Sequence, residues 1–419
     1  MRAMAKLSEI LKERGYVYQH SSEKLNEITD GPKRTLYLGV DPSADSLQVG
    51  QLMAFLILRH FLNDGHKVIL LIGGGTGMIG DPGGKDKERT LLDAEVVSLN
   101  AEKIKEQSKK LLASDNFTML DNSEWLGEIR LLDFLRDVGK HFSVNVMLQK
   151  DFVKDRVETP EQSISYTEFS YALLQAFDYW HLNKNYDCDL EVGGSDQWGN
   201  IVSGVDLIRR RQGKTVYGMT WPLLVDKSGR KFGKSEEGTI WLDPTKTSPF
   251  KFYQFWLNTE DDSVEEYLLK MTLLSKEEIA AAMFMHKEKP AARHAQETLA
   301  YAVTSLVHGE EATVAVQDVS AALFGERDIS DLNDDERALL LREAPTFDTR
   351  LGMLLVDALI QSGLASSKRE ARQFIDDSAV TLNGGKISDK DRVLLHEDFQ
   401  NAPVAILKRG KRNLIVLKI

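Results

Sequence analysis

Two short polar stretches contain residue types that suit nucleotide chemistry. Residues 193–200 read GGSDQWGN, where two glycines let a ligand approach the backbone, Asp196 can take two ribose hydroxyls and Gln197 is an amide donor. Residues 231–235 read KFGKS, and the two lysines of this glycine-containing loop can move onto a triphosphate. Taken alone, the first is also explained by a hairpin turn with capping residues and the second by a basic surface loop. Their presence in one chain favours nucleotide binding.

Two further stretches add an anion site and a carboxylate. Residues 37–52 read YLGVDPSADSLQVGQL, and backbone N–H groups at the helix start near Gly50 would face an anion. Residues 81–90 read DPGGKDKERT, in which Asp81, a flexible Gly-Gly pair and cations suit an amino group together with phosphates. A solvated charged turn explains the second stretch equally well when it is taken alone.

A glycine-rich turn at residues 75–80, GTGMIG, matches the dinucleotide fingerprint G-x-G-x-x-G after a predicted strand. The acidic residue that should close the next strand is not evident. Residues 80–86 also fail as a phosphate loop, because the stretch is one residue short and lacks the Ser or Thr that holds magnesium. Tight packing of a glycine turn is therefore favoured over NAD binding, which would make the chain a dehydrogenase and is kept as a minor alternative.

The elements that must hold these residues change character along the chain. Up to about residue 222, apolar runs at 36–40 and 67–72 alternate with helical spacing, which indicates a parallel α/β sheet with right-handed crossovers. Residues 249–319 have helical spacing. Residues 326–349 are polar and acidic, which is typical of a connector.

Charge divides the chain into two parts. The net charge of −11 by itself argues against a nucleic-acid partner. Residues 350–419, however, hold 12 Lys and Arg against 8 Asp and Glu, a net charge of +4. In this tail an amphipathic helix precedes a basic helix at 368–375 and a hairpin with a tight turn at Asn383-Gly384. An acidic body with a basic tail indicates that different segments meet different partners.

Composition sets the class of protein. A length of 419 residues predicts roughly two to four domains, and 42% hydrophobic with 28% charged residues is typical of a globular protein with a sizeable core. No apolar run approaches the ~20 residues of a membrane helix, and the charged N-terminus has no signal-peptide core. The single Cys188 excludes a disulfide framework, and the 9 histidines show no metal-ligand spacing. We therefore expect an intracellular, cytoplasmic protein with no membrane association and no protein-bound metal.

Residues 37–52 resemble the first signature of class I aminoacyl-tRNA synthetases, usually H-x-G-H, in the form that tyrosyl enzymes use. Gln48 and Gln51 stand at both histidine positions. KFGKS resembles the second signature, usually K-M-S-K-S. Further blocks that resemble bacterial tyrosyl-tRNA synthetases are GGSDQWGN (193–200), FLRDVGKHFSVN (134–145), SYTEFSY (165–171), GTIWLDPTKTSP (238–249), KFYQFWLNT (251–259) and LVHGEEA (306–312). The resemblance covers nearly the whole chain.

The resemblance implies a fold class and a domain order. A Rossmann-like parallel-sheet α/β catalytic domain with an inserted dimer-interface segment is expected over 1–222, and the signature loop with an α-helical anticodon-side domain over 223–325. A linker over 326–349 and a small α+β RNA-binding domain over 350–419 complete the chain. The family forms a symmetric homodimer, on which tRNA passes from one subunit's catalytic domain to the other's tail. Residues 134–146 are a candidate interface segment, although core packing explains their apolar residues as well.

The resemblance also assigns candidate site residues. Tyr37 and Asp178 correspond to the pair that hydrogen-bonds the tyrosine hydroxyl, and a buried carboxylate and phenol left unpaired by phenylalanine would make that analogue costly. The spacing of Tyr171, Gln175 and Asp178 lets one helix present all three on one face. The tyrosine-binding candidates are Tyr37, Asp81, Tyr171, Gln175 and Asp178; the ATP-binding candidates are Gly39, Asp41, Ser43, Gly194, Asp196 and Lys234; the catalytic candidates are Gln48, Gln51, Lys85, Arg89, Gln197, Lys231 and Lys234.

The implied partners are L-tyrosine, ATP and tRNA(Tyr), with Mg²⁺ carried by the ATP. The tail resembles a small RNA-binding module also found in ribosomal proteins, and its basic residues suit phosphate contacts with little base readout, although a solvated basic face is the alternative. The tRNA-binding candidates are Arg209, Arg210, Lys368, Arg369, Arg372, Lys408, Arg409 and Lys411. Lys150, Lys154 and Arg156 form a further candidate basic patch.

The implied reaction needs no protein nucleophile. The tyrosine carboxylate attacks the α-phosphorus in line, pyrophosphate leaves, and a terminal ribose hydroxyl of the tRNA attacks the mixed anhydride, so positioning and charge stabilisation are the catalytic means. Gln48 and Gln51 can donate hydrogen bonds but never become cationic, and we expect a slow but active enzyme. The alternatives are an attenuated variant that binds tyrosine, ATP and tRNA, or an RNA-binding protein on a synthetase scaffold. Glu191, where bacterial relatives often have glutamine, is expected to alter affinity for the substrate rather than specificity.

Overall fold

The structure of the chain, a computed structural model, describes residues 5–81, 93–114, 116–159, 163–225, 232–235, 238–324, 327–399, 403–410 and 413–419. The chain divides into two compact units. The first comprises Met1–Thr247 and Glu260–Ala295, and the second comprises Ser248–Thr259 and Gln296–Ile419. No helix among the described residues is long and apolar enough to cross a membrane.

The α-helices, numbered in chain order, are α1 Leu7–Glu13, α2 Leu25–Thr29, α3 Val49–Asn63, α4 Ala94–Leu112, α5 Ser123–Leu126, α6 Leu131–Asp137, α7 Val144–Met147, α8 Asp151–Glu158, α9 Tyr166–Tyr186, α10 Trp198–Gln212, α11 Pro249–Leu257, α12 Asp261–Met271, α13 Lys276–Glu288, α14 His294–His308, α15 Glu310–Phe324, α16 Asp334–Glu343, α17 Leu355–Gln361 and α18 Lys368–Asp376. The strands are β1 Gln19–His20, β2 Thr35–Val40, β3 Lys67–Ile72, β4 Phe117–Asp121, β5 Cys188–Gly194, β6 Tyr217–Trp221, β7 Lys234–Ser235, β8 Gly238–Thr239, β9 Thr346–Asp348, β10 Val380–Leu382, β11 Gly385–Lys386, β12 Val404–Arg409 and β13 Asn413–Lys418.

The first unit is built on a six-stranded sheet with the strand order β1-β6-β5-β2-β3-β4. The strands β6, β5, β2, β3 and β4 are parallel, and the edge strand β1 runs antiparallel to β6. The predicted parallel α/β sheet is thereby confirmed. The chain proceeds outward from β2 through β3 to β4 and then returns to β5 on the other side of β2. Such a reversal of strand order separates the loops at the carboxyl ends of β2 and β5, and open α/β sheets bind ligands there.

Local sequence explains the elements that border this crevice. Strands β2 and β3 are short apolar runs whose side chains are mostly buried, and α3 between them buries most of its length. Ser165 caps the N-terminus of α9: its Oγ accepts a hydrogen bond from the backbone N–H of Glu168 at 3.2 Å. The cap fixes where α9 starts, and therefore which of its residues face the sheet.

The second unit contains the small α+β tail. Its sheet has the order β11-β10-β12-β13-β9, and α17 and α18 share a buried apolar cluster with it. The predicted hairpin is confirmed: Asn383 and Gly384 join β10 to β11 with φ of 47° and 79°, as a two-residue turn requires. The helices predicted over 249–319 and at 368–375 are likewise present.

Residues 326–349, interpreted from their composition as a linker, contain α16 and β9. Asn333 Oδ1 accepts from the Glu336 backbone N–H at 3.0 Å, and Glu336 Oε2 accepts from the Asn333 N–H at 2.9 Å. Strand β9 pairs with the distant β13. The described part of this segment is therefore folded, since its acidic residues start a helix and its strand completes a sheet. The predicted domain boundaries themselves stay a prediction.

Candidate active site

A cavity of about 350 Å³ lies at the carboxyl ends of β2 and β5. It is lined by twelve of the residues predicted for tyrosine, ATP or catalysis: Tyr37, Gly39, Asp41, Ser43, Gln51, Asp81, Tyr171, Gln175, Asp178, Gly194, Asp196 and Gln197. Gln48 is the N-cap of α3 and does not line the cavity. Lys85, Arg89 and Lys231 lie outside the described residues, and for Lys234 the backbone in β7 is described but not the side chain.

The closed end of the cavity is formed by Asp178 and Tyr37, which are 2% and 1% exposed. Both Asp178 oxygens accept hydrogen bonds, from Trp125 Nε1 at 2.7 Å and from Asn122 Nδ2 at 2.9 Å. The Tyr37 hydroxyl lies close to the Asp178 carboxyl and within weak hydrogen-bonding reach of the Glu191 carboxyl, but within the described residues it completes no hydrogen bond of good geometry. A buried hydroxyl without a partner is costly, so this end of the cavity suits a ligand that carries a polar group.

A hydrogen-bond network connects this closed end to the middle of the cavity. Asn122 Nδ2 also donates to Thr76 Oγ1 at 3.0 Å, and Thr76 Oγ1 donates to Asp41 Oδ1 at 2.8 Å. The Tyr171 hydroxyl donates to Asp41 Oδ2 at 2.8 Å. The orientation of each polar side chain is therefore fixed by its neighbours before any ligand arrives.

Sequence reasoning missed Asn122, Trp125 and Thr76. They follow β4 and β3, and the parallel sheet brings them beside α9 although Asn122 and Asp178 are 56 residues apart. One usable signal was the end of a predicted strand, because polar residues at the carboxyl ends of parallel strands meet at one edge of the sheet.

Three glycines near the cavity face other parts of the protein, and of these Gly194 belongs to a stretch that the sequence marked as a ligand contact, residues 193–200. A Cβ atom at Gly73 would lie 2.1 Å from Asp41 Oδ1, and one at Gly74 would lie 2.2 Å from Asp121 Oδ1. In the GGSDQ loop, a Cβ at Gly194 would lie 2.6 Å from Asp196 Oδ1. These glycines make room for carboxylates of the protein itself, which agrees with the glycine-turn interpretation of residues 75–80 and their surroundings. Gly39 differs, because a Cβ there would meet nothing within 4 Å and would point into open space.

The amide of Gln197 meets the carboxylate of Asp81 near the other end of the cavity. Gln197 Nε2 donates to Asp81 Oδ2 at 2.6 Å, which joins the loop after β5 to the loop after β3. Among the described residues, no group of three or more His, Cys, Asp or Glu side chains is arranged to hold a metal ion.

The two signature-like stretches pack against each other. The backbone N–H of Val49 donates to the Ile240 carbonyl at 3.0 Å, and the Leu242 N–H donates to the Leu47 carbonyl at 2.9 Å. Gly233 has φ of 85°, and a Cβ there would lie 2.4 Å from Val49 Cγ1. The start of α3 and the loop of β7 are therefore held in direct contact. At the same helix start, Gln51 Oε1 accepts from the Gln48 backbone N–H at 2.9 Å.

Two buried carboxyls make the stability of the first unit depend on pH. Burial raises the pKa of Asp178 to about 8 and the pKa of Glu191 to about 7. Each carboxyl therefore binds its proton more tightly in the folded than in the unfolded chain, where its pKa is about 4. The stability gained from protonation is full below about pH 4 and is lost as the pH rises to about 8.

We expect the free energy of unfolding to decrease as the pH is raised from 5 to 8. The variant Glu191→Gln should make this decrease smaller by about 2 to 3 kcal/mol, because a neutral amide does not titrate. Urea unfolding of both chains at the two pH values measures the difference. Glu128→Gln, a substitution of an exposed glutamate, is the control and should keep the parent's pH dependence. Equal pH dependence in the parent and Glu191→Gln would show that Glu191 does not titrate in this range.

The comparisons with known proteins agree with this geometry. A family model described as tRNA synthetases class I (W and Y) matches residues 29–325, and one described as Tyrosine--tRNA ligase SYY-like C-terminal domain matches residues 337–417. The chain is 44% identical over 420 residues to a tyrosine–tRNA ligase of Staphylococcus saprophyticus, covering 98% of each chain. It is 43% identical to one of Roseiflexus castenholzii, covering 99% of this chain and all of the relative. The chain belongs to the bacterial-type tyrosyl-tRNA synthetases of class I.

Solved structures of the tyrosyl-tRNA synthetase family share the fold. A C-terminally truncated mitochondrial tyrosyl-tRNA synthetase of Aspergillus nidulans has a TM-score of 0.68 and 33% identity, covering 75% of this chain and 93% of that one. The tyrosyl-tRNA synthetase of Archaeoglobus fulgidus has a TM-score of 0.54 at 16% identity, covering 74% of this chain and 99% of that one, which indicates a shared fold alone.

In this member of the tyrosyl-tRNA synthetase family, the predicted tRNA-binding residues lie on two surfaces. On α18, Lys368, Arg369 and Arg372 are exposed, while Ala371 and Ile375 are buried. The Arg409 guanidinium lies 4.9 Å from the centre of the Phe374 ring, so the end of β12 adjoins this helix. Lys408 is half-buried, and Lys411 is outside the described residues.

The second basic surface is at the end of α10, where Arg209 and Arg210 are exposed. Arg210 Nη1 donates to the His141 carbonyl at 2.5 Å, and the Arg211 guanidinium lies 4.0 Å from the centre of the Trp180 ring. The candidate patch of Lys150, Lys154 and Arg156 is wrong for Arg156, which is 5% exposed and donates to Glu168 Oε1 at 2.8 Å. A buried cation paired with a buried carboxylate belongs to the core, where a phosphate cannot reach it.

Proposed function

We propose that this chain is a tyrosine–tRNA ligase, which activates L-tyrosine with ATP to tyrosyl-adenylate and pyrophosphate and then transfers tyrosine to the 3′ end of tRNA(Tyr). The observation that carries the proposal is the closed end of the cavity, where the Asp178 carboxyl and the Tyr37 hydroxyl lie buried and close together. Identities of 43–44% over nearly the full chain with tyrosine–tRNA ligases support it.

The phenolic hydroxyl of the substrate binds at this closed end. Each oxygen of the ionised Asp178 accepts one hydrogen bond from the protein and keeps a further lone pair, so it can accept a hydrogen bond from the substrate's hydroxyl. The Tyr37 hydroxyl can donate to the same substrate oxygen. Phenylalanine would offer no hydroxyl to the buried Tyr37 hydroxyl or to the further lone pairs of Asp178, and its binding is disfavoured for that reason.

The α-ammonium of tyrosine binds between Tyr171, Gln175 and Asp81, which all line the cavity. The Tyr171 hydroxyl donates its hydrogen bond to Asp41, so its oxygen is left to accept a hydrogen bond from the ammonium. The Gln197 amide, which holds Asp81, lies beside the position proposed for the substrate carboxylate.

ATP binds over Gly39, the start of α3 and the loop after β5. Gly39 leaves open space, Gly194 and Asp196 face the cavity for the ribose, and Ser43 faces it for the phosphates. The start of α3 adds backbone N–H groups and a positive dipole end, which stabilise phosphate charge. The cations Lys85, Arg89, Lys231 and Lys234 are proposed to close over the pyrophosphate, and Mg²⁺ enters with the ATP as part of the substrate.

Catalysis in this site is positioning and electrostatic stabilisation. The tyrosine carboxylate, held by Gln197, attacks the α-phosphorus in line, and the bond to pyrophosphate breaks as the acyl phosphate bond forms. Donors from α3 and the lysines stabilise the charge that develops on the phosphate oxygens. The tRNA hydroxyl then displaces AMP from the mixed anhydride, and no side chain becomes covalently attached.

The tRNA is proposed to contact Lys368, Arg369, Arg372 and Arg409 in the tail and Arg209 and Arg210 on α10, chiefly through its phosphates. Their charge, and the exposure of all but the half-buried Arg409, support this assignment. We place the reaction in the cytoplasm, where bacterial tRNA is charged.

A homodimer is part of this proposal, and exposed apolar residues near α6 and α7 support it. Leu131, Leu132, Val144 and Val146 are 70%, 78%, 57% and 62% exposed, whereas Phe134 is buried in the core of its own chain. Such a concentration of exposed aliphatic side chains is typical of a protein interface. Sedimentation velocity of the full chain measures the oligomeric state, and the mass of a single chain would overturn this part.

We further propose that Gln48 and Gln51 occupy the two histidine positions of the first signature and make the enzyme slow. Gln51 uses its carbonyl oxygen to cap α3 and lines the cavity, so its amide N–H group remains to face the phosphates. An amide donates without carrying a charge, and this observation favours an attenuated ligase as the second candidate function.

Tyrosine-dependent ATP–pyrophosphate exchange and tyrosyl-tRNA formation test the proposal in two steps. We expect exchange with tyrosine, none with phenylalanine, and formation of tyrosyl-tRNA. Exchange without transfer would separate activation from tRNA binding. No product in either assay under any condition would favour an RNA-binding protein on a synthetase scaffold.

Replacing Lys368, Arg369 and Arg372 together by glutamine should raise the KM for tRNA about tenfold or more and leave pyrophosphate exchange unchanged. Each phosphate contact releases about one counterion when tRNA binds. Because the triple variant makes fewer such contacts, its tRNA binding should also depend less steeply on salt concentration. Tyrosylation at two salt concentrations measures both effects. The control replaces the exposed Lys6, Lys12 and Lys33 by glutamine, which gives the same change in charge. An equal KM in both triple variants would contradict a role of α18 in tRNA binding.

A further inference from the structure

The proposed mechanism leaves one buried acid of the cavity without a role. Glu191 lies on β5, two residues before Gly193, lines the cavity and is 2% exposed. Its Oε2 atom completes no hydrogen bond among the described residues. Burying a carboxyl is costly, and its charged form especially so, so its position calls for a contact that it alone supplies.

That contact is with the Gln175 amide. Gln175 Nε2 donates to Glu191 Oε1 at 2.9 Å. Glu191 Oε1 is the acceptor in this contact, and when Glu191 is ionised both of its oxygens only accept, whereas a carboxamide has a donor end and an acceptor end. The contact therefore fixes which end of Gln175 faces Glu191: the NH₂ group faces it, and the carbonyl oxygen is left on the other side.

The carbonyl oxygen is the end that an ammonium group needs. Gln175 is four residues after Tyr171, so the two side chains lie on the same face of α9 and both line the cavity. The Tyr171 hydroxyl is oriented by Asp41 in the same sense, with its proton directed away and its oxygen left as acceptor. Two neighbouring acceptors are thus each oriented by a carboxyl behind them.

We infer that Glu191 is a positioning residue for the α-ammonium of the substrate: it holds the Gln175 carboxamide with its carbonyl oxygen available to the cavity. The inference rests on the proposed function, which places that ammonium at Gln175. Glutamine at position 191 would not fix this orientation, because its amide can either donate to Gln175 or accept from it.

The closest chemical groups support a positioning role over a direct one. Tyr37 and Asp178 lie near Glu191 at the closed end, and the Tyr179 ring packs 5.3 Å from the Tyr37 ring. Glu191 is thus surrounded by residues that hold the phenol end, and it reaches the ammonium end through Gln175. It acts on the substrate through another side chain.

The test compares the full-length parent with Glu191→Gln, using two ligands that differ in the ammonium. Tyrosinol keeps the phenol and the ammonium, and 3-(4-hydroxyphenyl)propionate keeps the phenol but lacks the ammonium. We expect Glu191→Gln to raise the KM for tyrosine and the inhibition constant of tyrosinol about three- to tenfold in pyrophosphate exchange. This rise corresponds to about 1 kcal/mol for the lost orientation of one charged hydrogen bond. The kcat, the KM for ATP and the inhibition constant of the propionate should stay within about twofold, because none of them depends on the ammonium contact.

The outcomes separate this inference from the proposed function. A parent that catalyses exchange while Glu191→Gln binds tyrosinol equally well would overturn the inference and leave the function standing. Equal weakening of both inhibitors would also overturn it, because the effect would then be general damage to the pocket. A parent without exchange activity would instead reject the proposed function. Glu128→Gln, which removes an exposed carboxylate, should match the parent in every constant.

Discussion

Replacing Asp178 by asparagine is expected to lower kcat/KM for tyrosine about a hundredfold or more. The two Asp178 oxygens accept from Trp125 Nε1 and Asn122 Nδ2, and the residue is only 2% exposed. Asparagine has one acceptor oxygen, so its NH₂ group would have to face one of these two N–H donors. The donor left without a partner is unpaired in the free and the bound enzyme alike and therefore lowers stability rather than kcat/KM. The lost charged acceptor for the phenol costs about 1.5–3 kcal/mol of binding, and about 3 kcal/mol corresponds to the expected factor.

Tyrosine-dependent pyrophosphate exchange with tyrosine as the varied substrate measures this effect. The matched control is Asp206→Asn on α10, where the side chain is half exposed and pairs with Arg209 on the surface. It should change kcat/KM less than twofold, because surface pairs contribute little. A thermal unfolding midpoint for each variant separates lost binding from lost folding. An Asp178→Asn enzyme within about threefold of the parent would mean that the phenol binds elsewhere.

The second large effect is a gain. Replacing Gln48 and Gln51 together by histidine is expected to accelerate tyrosine activation about ten- to a hundredfold. Imidazole can carry a positive charge, and a hydrogen bond to a charged group is worth ~1.5–3 kcal/mol. An interaction of that size made mainly in the transition state gives the stated range. The gain should therefore appear in kcat rather than in the KM for tyrosine.

Single-turnover formation of tyrosyl-adenylate measures the rate of activation directly. Asn63→His, at the other end of α3, is an exposed substitution that adds one imidazole without approaching the cavity, and it should have no effect. The double variant at positions 48 and 51, in contrast to this control, loses the hydrogen bond from the Gln48 N–H to Gln51 Oε1. This loss is expected to lower its stability by about 1 kcal/mol. A double variant no faster than the parent would show that the glutamines do not limit the reaction.

The location of the cavity followed from patterns that are local in sequence. The two predicted strands, β2 and β3, each lead into a Gly- or Pro-rich turn, and parallel strands must place those ends at one edge of the sheet. The spacing of Tyr171, Gln175 and Asp178 put them on one face of α9, since a helix repeats every 3.6 residues. The motif at 193–200 identified Asp196 and Gln197, which line the same cavity.

The partners of these residues could not be predicted in the same way. Asp178 is paired with Asn122 and Trp125, and this pairing depends on the register of β4 against β3 and on where α9 crosses the sheet. Gly194 was assigned to the ligand because glycine permits close approach, but the sequence does not tell what approaches. In the structure a Cβ at Gly194 would lie 2.6 Å from Asp196 Oδ1, a carboxylate of the chain itself.

The sequence by itself determined the family, the parallel α/β fold, the basic character of the tail and many of the side chains that line the cavity, because each is set by residue type and short-range spacing. The tertiary structure alone decided the hydrogen-bond state of those side chains. Asp178 is satisfied by two N–H donors, Tyr37 and Glu191 each keep a buried atom without a partner, and Gln175 is oriented by Glu191. Such states depend on burial and on atoms that arrive from distant elements, and neither is encoded by spacing along one strand or helix.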